Sequence, residues 1–307
     1  MKFTNRFNLP QPFVDLVAGT NEKYDNGGSD FTTTGLLKPP RIVALNRQHW
    51  HEIEEDISEC TWRAMGQIRH TVLETIAKKN PERYIVERRF FMEIEGVKIS
   101  GQIDLYDKTE SVLYDWKETS VWKAIIGDSD DWEKQANTNL FLMKKAGIEP
   151  TALKNIGFLK DWKKSDAKNK PDYPQCPIQV FPLKIWHPAE TEKFIRERIK
   201  LHLAARTGNH SACTAEERWE RPTVYAIMKE GRKSAVKLHE REENANLHLQ
   251  SCDKRHFIQK RPGISIRCTD YCAVNKFCDF YNQTIKPGIK SEETEVTTSE
   301  LHATQEA

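Results

Sequence analysis

The sequence predicts a mixed α/β fold built around a small sheet, and three observations carry this prediction. Apolar residues recur mostly at threes and fours from His49 to about Lys79, which is typical of a helix. Three segments with strand character follow it, separated by the turn signals Glu95-Gly96 and Asp107-Lys108. The complete predicted order is helix, three strands, helix, two strands and helix, which is typical of a mixed sheet flanked by helices.

Residues 1–48 are predicted to form an irregular N-terminal arm. Asn26-Gly27-Gly28 and Pro39-Pro40 are turn signals, and one short strand is predicted around Arg41 to Leu45. The arm is long for a structureless segment, so we expect it to pack on the core or to contact a partner.

Residues 49–208 are predicted to form the core. Its first helix ends at Asn80-Pro81. The predicted strands are residues 84–94, 97–106, 112–117, 155–159 and 178–185. The later helices are predicted at residues 132–145, where Gly147 closes the helix, and from Pro188 to about Arg206.

The composition of the chain limits which partners it can bind and in which cellular compartment we expect it. Charged residues make up 30% of the chain but sum to only +2, so any nucleic-acid footprint must be local. No apolar run approaches the ~20 residues that a membrane span needs, so no membrane partner is expected. The first residues, MKFTNRFNLPQPF, lack the apolar core of a signal peptide. We therefore expect a cytoplasmic protein whose seven cysteines are thiols or metal ligands.

The last hundred residues differ from the core in composition. Residues 209–286 hold five of the seven cysteines and are predicted to form a C-terminal appendage. Residues 287–307 carry several glutamates and no aromatic residue, so they are predicted to be a disordered tail.

The stretch SGQIDLYDKTESVLYDWKET suggests metal-dependent chemistry. Alternation in QIDLY places Asp104 on the face opposite Ile103, and Asp115 and Lys117 share one face of the next strand. If the two strands pair as a hairpin, both carboxylates reach one divalent ion, and Mg²⁺ or Mn²⁺ suits such ligands. The backbone carbonyl of Trp116 would add a ligand, while its side chain is predicted to point into the core. The alternative is a surface hairpin with solvated charges.

The surrounding residues resemble the PD-(D/E)XK nuclease superfamily. Gly101-Gln-Ile-Asp104 and Asp115-Trp-Lys117 resemble its motifs II and III, and Gly66-Gln-Ile-Arg-His70 resembles the G-x-x-x-H motif of its RecB-like branch. The resemblance implies that His70 is an extra metal ligand and that Lys117 serves the nucleophile. Gln135 matches the start of a Q-x-x-x-Y motif, which implies a role near the phosphate, but Asn139 stands where the tyrosine would be.

Glu87 occupies a strand position where related phage exonucleases carry a further acidic residue, and the resemblance makes it a candidate catalytic group. Each of these residues also has an ordinary interpretation. His70 and Gln135 would be surface residues, and Glu87 would pair with Arg88 or Arg89.

The cysteines Cys268, Cys272 and Cys278 lie within eleven residues, which suggests zinc or an iron–sulfur cluster. The C-terminal region, CTAEERWERPTVYAIMKEGRKSAVKL, resembles bacteriophage PD-(D/E)XK proteins in which its first cysteine, here Cys213, precedes such a triplet. The resemblance therefore favours a [4Fe-4S] cluster with Cys213 as fourth ligand. Cys60 is the alternative, and so are zinc and free thiols.

Two basic stretches are candidates for contact with DNA. Lys160, Lys163 and Lys164 lie near Trp162, and Arg232 and Lys233 follow Tyr225. Basic residues near an aromatic ring suit backbone neutralisation with base stacking, although a solvated face is the usual interpretation of a charge run.

Together these features predict a Mg²⁺- or Mn²⁺-dependent deoxyribonuclease of PD-(D/E)XK fold in the cytoplasm, of the host if the chain is phage-encoded. The resemblance favours an exonuclease on DNA ends, acting in recombination or repair beside a single-strand-annealing or recombination protein. A structure-selective endonuclease on branched DNA and a catalytically silent DNA-binding module are the alternatives.

Overall fold

The computed structural model of the protein describes residues 1–22, 26–127 and 129–287. They divide into two units. One contains Met1–Ala44 and His51–His210, and the other contains Leu45–Trp50 and the chain from Ser211 onward. The predicted disordered tail, apart from Pro287, lies outside the described residues.

The N-terminal region is mostly helical, so the prediction of an irregular arm with a strand at Arg41 to Leu45 is wrong. Thr32 caps a short helix because its hydroxyl accepts a hydrogen bond from the Gly35 N–H, and Pro40 begins the next helix with its φ already suited to that position. The elements are β1 (Lys2–Thr4), α1 (Gln11–Glu22), β2 (Phe31–Thr32), α2 (Thr33–Leu37) and α3 (Pro40–Gln48).

The helix predicted from His49 begins only at Thr61, as α4 (Thr61–Ala77). Before it, β3 (Glu54–Asp56) pairs in parallel with β1, and 3₁₀ turns flank β3 on both sides. The Asp56 carboxylate accepts hydrogen bonds from the Thr4 hydroxyl, the Arg6 N–H and the Ser58 hydroxyl. These bonds fix a chain reversal at the place where apolar spacing alone indicates continuous helix.

The strands predicted at residues 84–94 and 97–106 both break in the middle. The halves are β4 (Tyr84–Val86), β5 (Arg89–Ile94), β6 (Val97–Gln102) and β7 (Leu105–Asp107). At the break, the Glu87 N–H donates to the Asp104 carbonyl and the Ile103 N–H donates to the Arg88 carbonyl, each at 3.1 Å. Glu87 has a φ of +49°, in the left-handed region that a residue with a side chain seldom adopts. The pairing therefore continues across a kink.

The kink sends the two halves of each strand into different sheets. β5 pairs antiparallel with β6, and β6 pairs in parallel with β2. β4 and β7 belong to a five-stranded mixed sheet with the order β10-β9-β8-β7-β4, in which the later strands are β8 (Val112–Thr119), β9 (Ala152–Leu159) and β10 (Ile178–Leu183). The predicted hairpin is present, because β7 and β8 pair antiparallel with Leu105 opposite Tyr114.

Helices cover this sheet, and the mixed α/β class is confirmed. The later helices of this unit are α5 (Val121–Ile126), α6 (Asp130–Lys145), α7 (Lys164–Asn169) and α8 (Pro188–Arg206). Gly147 follows α6 with a φ of +77°, as its predicted closing role requires. Leu140 and Leu142 of α6 pack with Ile103 and Leu113 in the main apolar core, which fixes α6 against the sheet.

In its described residues, the second unit contains two small sheets and a helix. Its elements are β11 (Glu220–Arg221), β12 (Val224–Lys229), β13 (Lys237–His239), α9 (Glu242–Gln250), β14 (His256–Arg261) and β15 (Ile264–Ser265). One sheet is antiparallel with the order β13-β12-β14, and β11 pairs with β15 in the other. Ala226 and Ile227 of β12 and Ala245 of α9 are fully buried. Within the described ranges, no helix has the length and apolar character to cross a membrane.

Candidate metal centre

The kinked strands bring two carboxylates to one helix. Asp104 and Glu87 lie in the two breaks, opposite each other across the antiparallel pairing. His70, on α4, faces both. Its Nδ1 lies 3.5 Å from Glu87 Oε1 and 3.7 Å from Asp104 Oδ2. In the described part of the chain, these three are the group whose ligand atoms all lie within 4.8 Å of one another, and nitrogen and carboxylate oxygen are ligands for divalent cations.

Neighbouring polar groups hold both carboxylates in place. The Trp116 N–H donates to Asp104 Oδ2 at 2.8 Å. The Gln102 side-chain amide donates to Glu87 Oε2 at 2.6 Å. Gln102 was not among the predicted site residues, although its place two residues before Asp104 in the motif is a signal in the sequence.

Asp115, Lys117 and Gln135 form a second set beside the first. Lys117 Nζ lies 2.6 Å from Asp115 Oδ2 and donates to Gln135 Oε1 at 2.9 Å, while Gln135 Nε2 donates to Asp115 Oδ1 at 3.0 Å. Gln135 lies on α6, so this helix positions the pair on β8. The three predicted residues therefore contact one another directly.

Burial makes the ionised form of Asp104 costly. Desolvation, followed by the negative charge of Asp115, raises the pKa of Asp104 from 3.8 to about 8, against the opposing effects of His70, the Trp116 N–H and Lys117. A hydrogen bond with Glu87 raises the pKa of His70, and the negative charge of Asp104 raises it further. Burial lowers the same pKa but does not outweigh these two effects. When Asp104 ionises, the three carboxylates of the site, those of Glu87, Asp104 and Asp115, therefore outnumber its basic groups.

A divalent cation fits this donor set. Asp115 Oδ2 is buried, and the Lys117 ammonium, 2.6 Å away, forms an ion pair with it. A cation would neutralise the clustered carboxylates, and carboxylate oxygens are ligands that Mg²⁺ and Mn²⁺ accept. The Trp116 N–H points to Asp104, and in an extended strand the carbonyl of a residue points to the same edge as its N–H, so this carbonyl also faces the centre.

Two features of the surroundings differ from the sequence-based expectation. The Trp116 side chain is half-buried and lines a pocket with α4, so the prediction that it points into the core is wrong. Asn139, at the place of the expected tyrosine, is buried. Its Oδ1 lies 2.3 Å from where a Cβ of Gly101 would be, so this position packs α6 against β6 and does not face the metal centre.

The predicted cluster cysteines lie in the second unit. Burial raises the pKa of Cys213 to about 12, and the charges of Glu217, Cys268, Cys272 and Cys278 add to this, so the four thiols are close enough to influence one another. Cys60 is instead buried at the start of α4, against Val17, Ile57 and Ala64.

The spacing of the sulfurs differs from that of a tetrahedral zinc site. Zn–S bonds of about 2.3 Å place such sulfurs roughly 3.8 Å apart. Among the described cysteines, no three sulfurs lie within 4.8 Å of one another.

The predicted DNA-binding residues lie in exposed segments of both units. Lys160, Lys163 and Lys164 are exposed around α7, and Arg232 and Lys233 are exposed between β12 and β13. Trp162 is half-buried, and its indole N–H donates to the Pro174 carbonyl at 2.7 Å. This ring therefore anchors its own loop.

Comparison with known proteins gives no assignment. No family model matches the chain, and no curated protein matches it. Among solved structures, the crystal structure of SSO0001 is similar over 62% of this chain and 84% of that chain, with 16% identity and a TM-score of 0.43. A similarity at this level carries no argument about fold or function, so the interpretation of the site depends on its own residues.

Proposed function

We propose that the chain is a metal-dependent deoxyribonuclease of PD-(D/E)XK type. The observation that carries the proposal is the adjacency of two sets of side chains. His70, Glu87 and Asp104 offer ligand atoms within 4.8 Å, and Asp115 and Lys117 stand in contact beside them on the next strand. Carboxylates that hold a divalent ion beside a lysine suit hydrolysis of a phosphodiester.

His70, Asp104, Asp115 and the Trp116 carbonyl would hold Mg²⁺ or Mn²⁺, and Glu87 lies close enough to join them. The bound ion would polarise the scissile phosphate and lower the pKa of a water. Lys117 would orient the attacking water and stabilise the negative charge that develops on the phosphate. Gln135 keeps Lys117 and Asp115 in register, because its amide contacts both.

Exonuclease action on DNA ends, in recombination or repair, is the activity that we favour. A structure-selective endonuclease and a catalytically silent DNA-binding module remain the competing proposals. The intact set of Asp104, Asp115 and Lys117 speaks against the silent module, because burial of the Asp104 carboxylate lowers the stability of the metal-free fold.

A [4Fe-4S] cluster held by Cys213, Cys268, Cys272 and Cys278 is the second part of the proposal. The influence of these thiols on one another supports it. Arg218 and Arg267 lower the pKa of the Cys268 thiol while burial raises it, so positive charge is present to offset an anionic cluster. Such a cluster would stabilise the folded second unit.

The test is digestion of linear and circular DNA in Mg²⁺ by the wild type, Lys117→Ala and the control Lys98→Ala. Lys98 lies exposed on β6, outside the site. We expect Lys117→Ala to lose cleavage by at least about 100-fold, the scale of removing a group that stabilises developing charge, while Lys98→Ala retains it.

Degradation of linear but not circular DNA supports the exonuclease, and cutting of circular or branched DNA supports the endonuclease. Equal products from the wild type and Lys117→Ala would contradict the assignment of Lys117 as a catalytic residue. DNA binding without any metal-dependent cleavage would favour the silent module.

A further inference from the structure

A pocket of about 260 Å³ opens beside the candidate metal centre, between α4 and β8. His70 lines this pocket and also faces Glu87 and Asp104, so the two sites share a wall. The pocket is somewhat smaller than the ~300–1,000 Å³ typical of sites for drug-sized ligands, which favours a smaller ligand. Its lining combines two indole rings with charged side chains at the rim.

Trp62 provides an exposed aromatic face in this pocket. Its side chain is 62% exposed although it lies on the same helix as His70. The Lys160 ammonium lies over this ring, 4.7 Å from the centroid, so a cation already contacts one face of the indole. Trp116 lines the pocket from β8.

Gly66 keeps the pocket open. It lies one turn from both Trp62 and His70 in the interior of α4, where glycine is less favourable than any other residue except proline. A Cβ at this position would meet no atom within 4 Å, so no packing contact on the helix requires glycine. The absent side chain leaves space that the pocket uses.

Ion pairs fix the charged groups at the rim. Arg69 pairs with Glu118 at 2.6 Å, and its guanidinium lies 4.4 Å from the Phe158 ring centroid. Arg63 pairs with Glu55 at 3.0 Å. Each of these arginines is neutralised by a carboxylate, so the Lys160 ammonium supplies the further positive charge near the pocket, where a phosphate backbone would pass.

We propose that this pocket binds an unpaired nucleobase of the strand being cut, stacked on Trp62. A nucleobase is planar, has a π-face and is attached to phosphate, which matches an aromatic surface with the Lys160 ammonium at one face. In a duplex each base is stacked and paired, so the proposal makes an unpaired base beside the scissile phosphate a requirement for the substrate. This inference rests on the proposed nuclease function for its location, and it specifies the substrate class.

The test compares binding of a fluorescent oligothymidylate and of an abasic phosphodiester chain of equal length, by anisotropy without divalent metal. Both ligands carry the same phosphates, so the ratio of their dissociation constants measures the contribution of the bases to binding. The variants are Trp62→Ala and Gly66→Leu. Their controls are Trp122→Ala, because Trp122 is 64% exposed on α5, and Gly19→Leu, because Gly19 lies on α1 with no atom within 4 Å of its Cβ position.

For the wild type we expect the oligothymidylate to bind about 5- to 150-fold more tightly than the abasic chain, the range for one stacked base. Trp62→Ala and Gly66→Leu should bring this ratio close to one, and both controls should leave it unchanged. The proposal is overturned if the wild type shows no preference, or if the pocket variants behave like their controls. Binding of blunt duplex as tight as that of the oligothymidylate would also contradict it.

The nuclease proposal can fail separately. If Lys117→Ala cleaves like the wild type but the base preference depends on Trp62 and Gly66, the pocket is a base-binding site without the proposed catalysis. If cleavage depends on Lys117 but the base preference is absent, the nuclease proposal stands and the pocket proposal fails.

Discussion

Replacing Asp104 by asparagine should stabilise the metal-free protein while removing the function of the site. The carboxylate is buried among negative charges, and its pKa rises to about 8 for that reason. Asparagine has nearly the same shape, retains an oxygen that accepts from the Trp116 N–H and carries no charge. Asp104→Asn should therefore gain the free energy that the wild type loses by burying this carboxylate without a bound metal.

The size of the gain follows from the pKa. Each pH unit between the ordinary value of 3.8 and about 8 corresponds to about 1.4 kcal/mol of differential stabilisation. At neutral pH this amounts to roughly 4 kcal/mol, but the buried amide of asparagine loses about 1–3 kcal/mol of hydration in its turn. We expect a net gain of about 1–3 kcal/mol, or roughly 2–10 °C in Tm for a unit of this size.

The size of the stability difference between Asp104→Asn and the wild type depends on pH, and this dependence identifies its cause. Because the folded pKa of Asp104 is raised, its contribution to stability is present at low pH and is lost as the pH rises toward about 8. The gap between Asp104→Asn and the wild type should therefore be small near pH 4 and widest near pH 8. The assay is urea or thermal unfolding in a chelator at both pH values.

Asp107 provides a control of opposite sign. Two hydrogen bonds from Arg83 lower the pKa of Asp107, so its contribution is present at neutral pH and is lost in acid. Asp107→Asn should lose about 1–3 kcal/mol near pH 8, because it weakens hydrogen bonds of a buried carboxylate. If Asp104→Asn also destabilises the metal-free protein near pH 8, the charge cluster is not costly and our reasoning about the site fails.

Two further predictions concern the groups around the centre and the cysteines. Gln135→Ala should lower kcat by about 10- to 100-fold with little change in KM, because it removes the contacts that align Lys117 and Asp115, whereas Gln179→Ala on β10 should cleave normally. Unchanged kcat in Gln135→Ala would refute its positioning role. Anaerobically purified wild type should show the visible absorption of an iron–sulfur cluster, which Cys272→Ser loses and Cys60→Ala retains. A colourless wild type, or loss of absorption in Cys60→Ala, would contradict the assignment of the four ligands.

Sequence patterns predicted the elements whose signals are local. The helix that begins at Pro188, the glycine that closes α6 and the hairpin of β7 and β8 all depend on residues close together in the chain. The short distance from Asp115 to Lys117 also follows from alternation within one strand.

The kink at Glu87 and Asp104 could not be predicted in this way. Both strands show continuous strand character, and the break exists because two strands bend together and join different sheets. This tertiary feature brings Glu87 to His70, so the residue with the weakest motif support lies nearest to the histidine.

The long helix predicted from His49 failed for a related reason. Apolar spacing continues through Ile53 and Ile57, yet the contacts of Asp56 with residues about fifty positions earlier stop the helix there. The same pattern gave a wrong indication of burial, because its residues Met65, Val72 and Ile76 on α4 are exposed. Helical periodicity identified the helix but not the face that the fold covers.

The central claim, that these side chains form a divalent-metal centre, is tested most directly by Mn²⁺ binding, measured from the spin-resonance signal of the free ion. The wild type should be compared with Asp115→Asn, His70→Ala and the exposed control Asp172→Asn. The account predicts saturable binding by the wild type and Asp172→Asn, and affinity at least about 10-fold lower in the two site variants. Equal Mn²⁺ affinity in all four proteins, or no binding by the wild type, would contradict it.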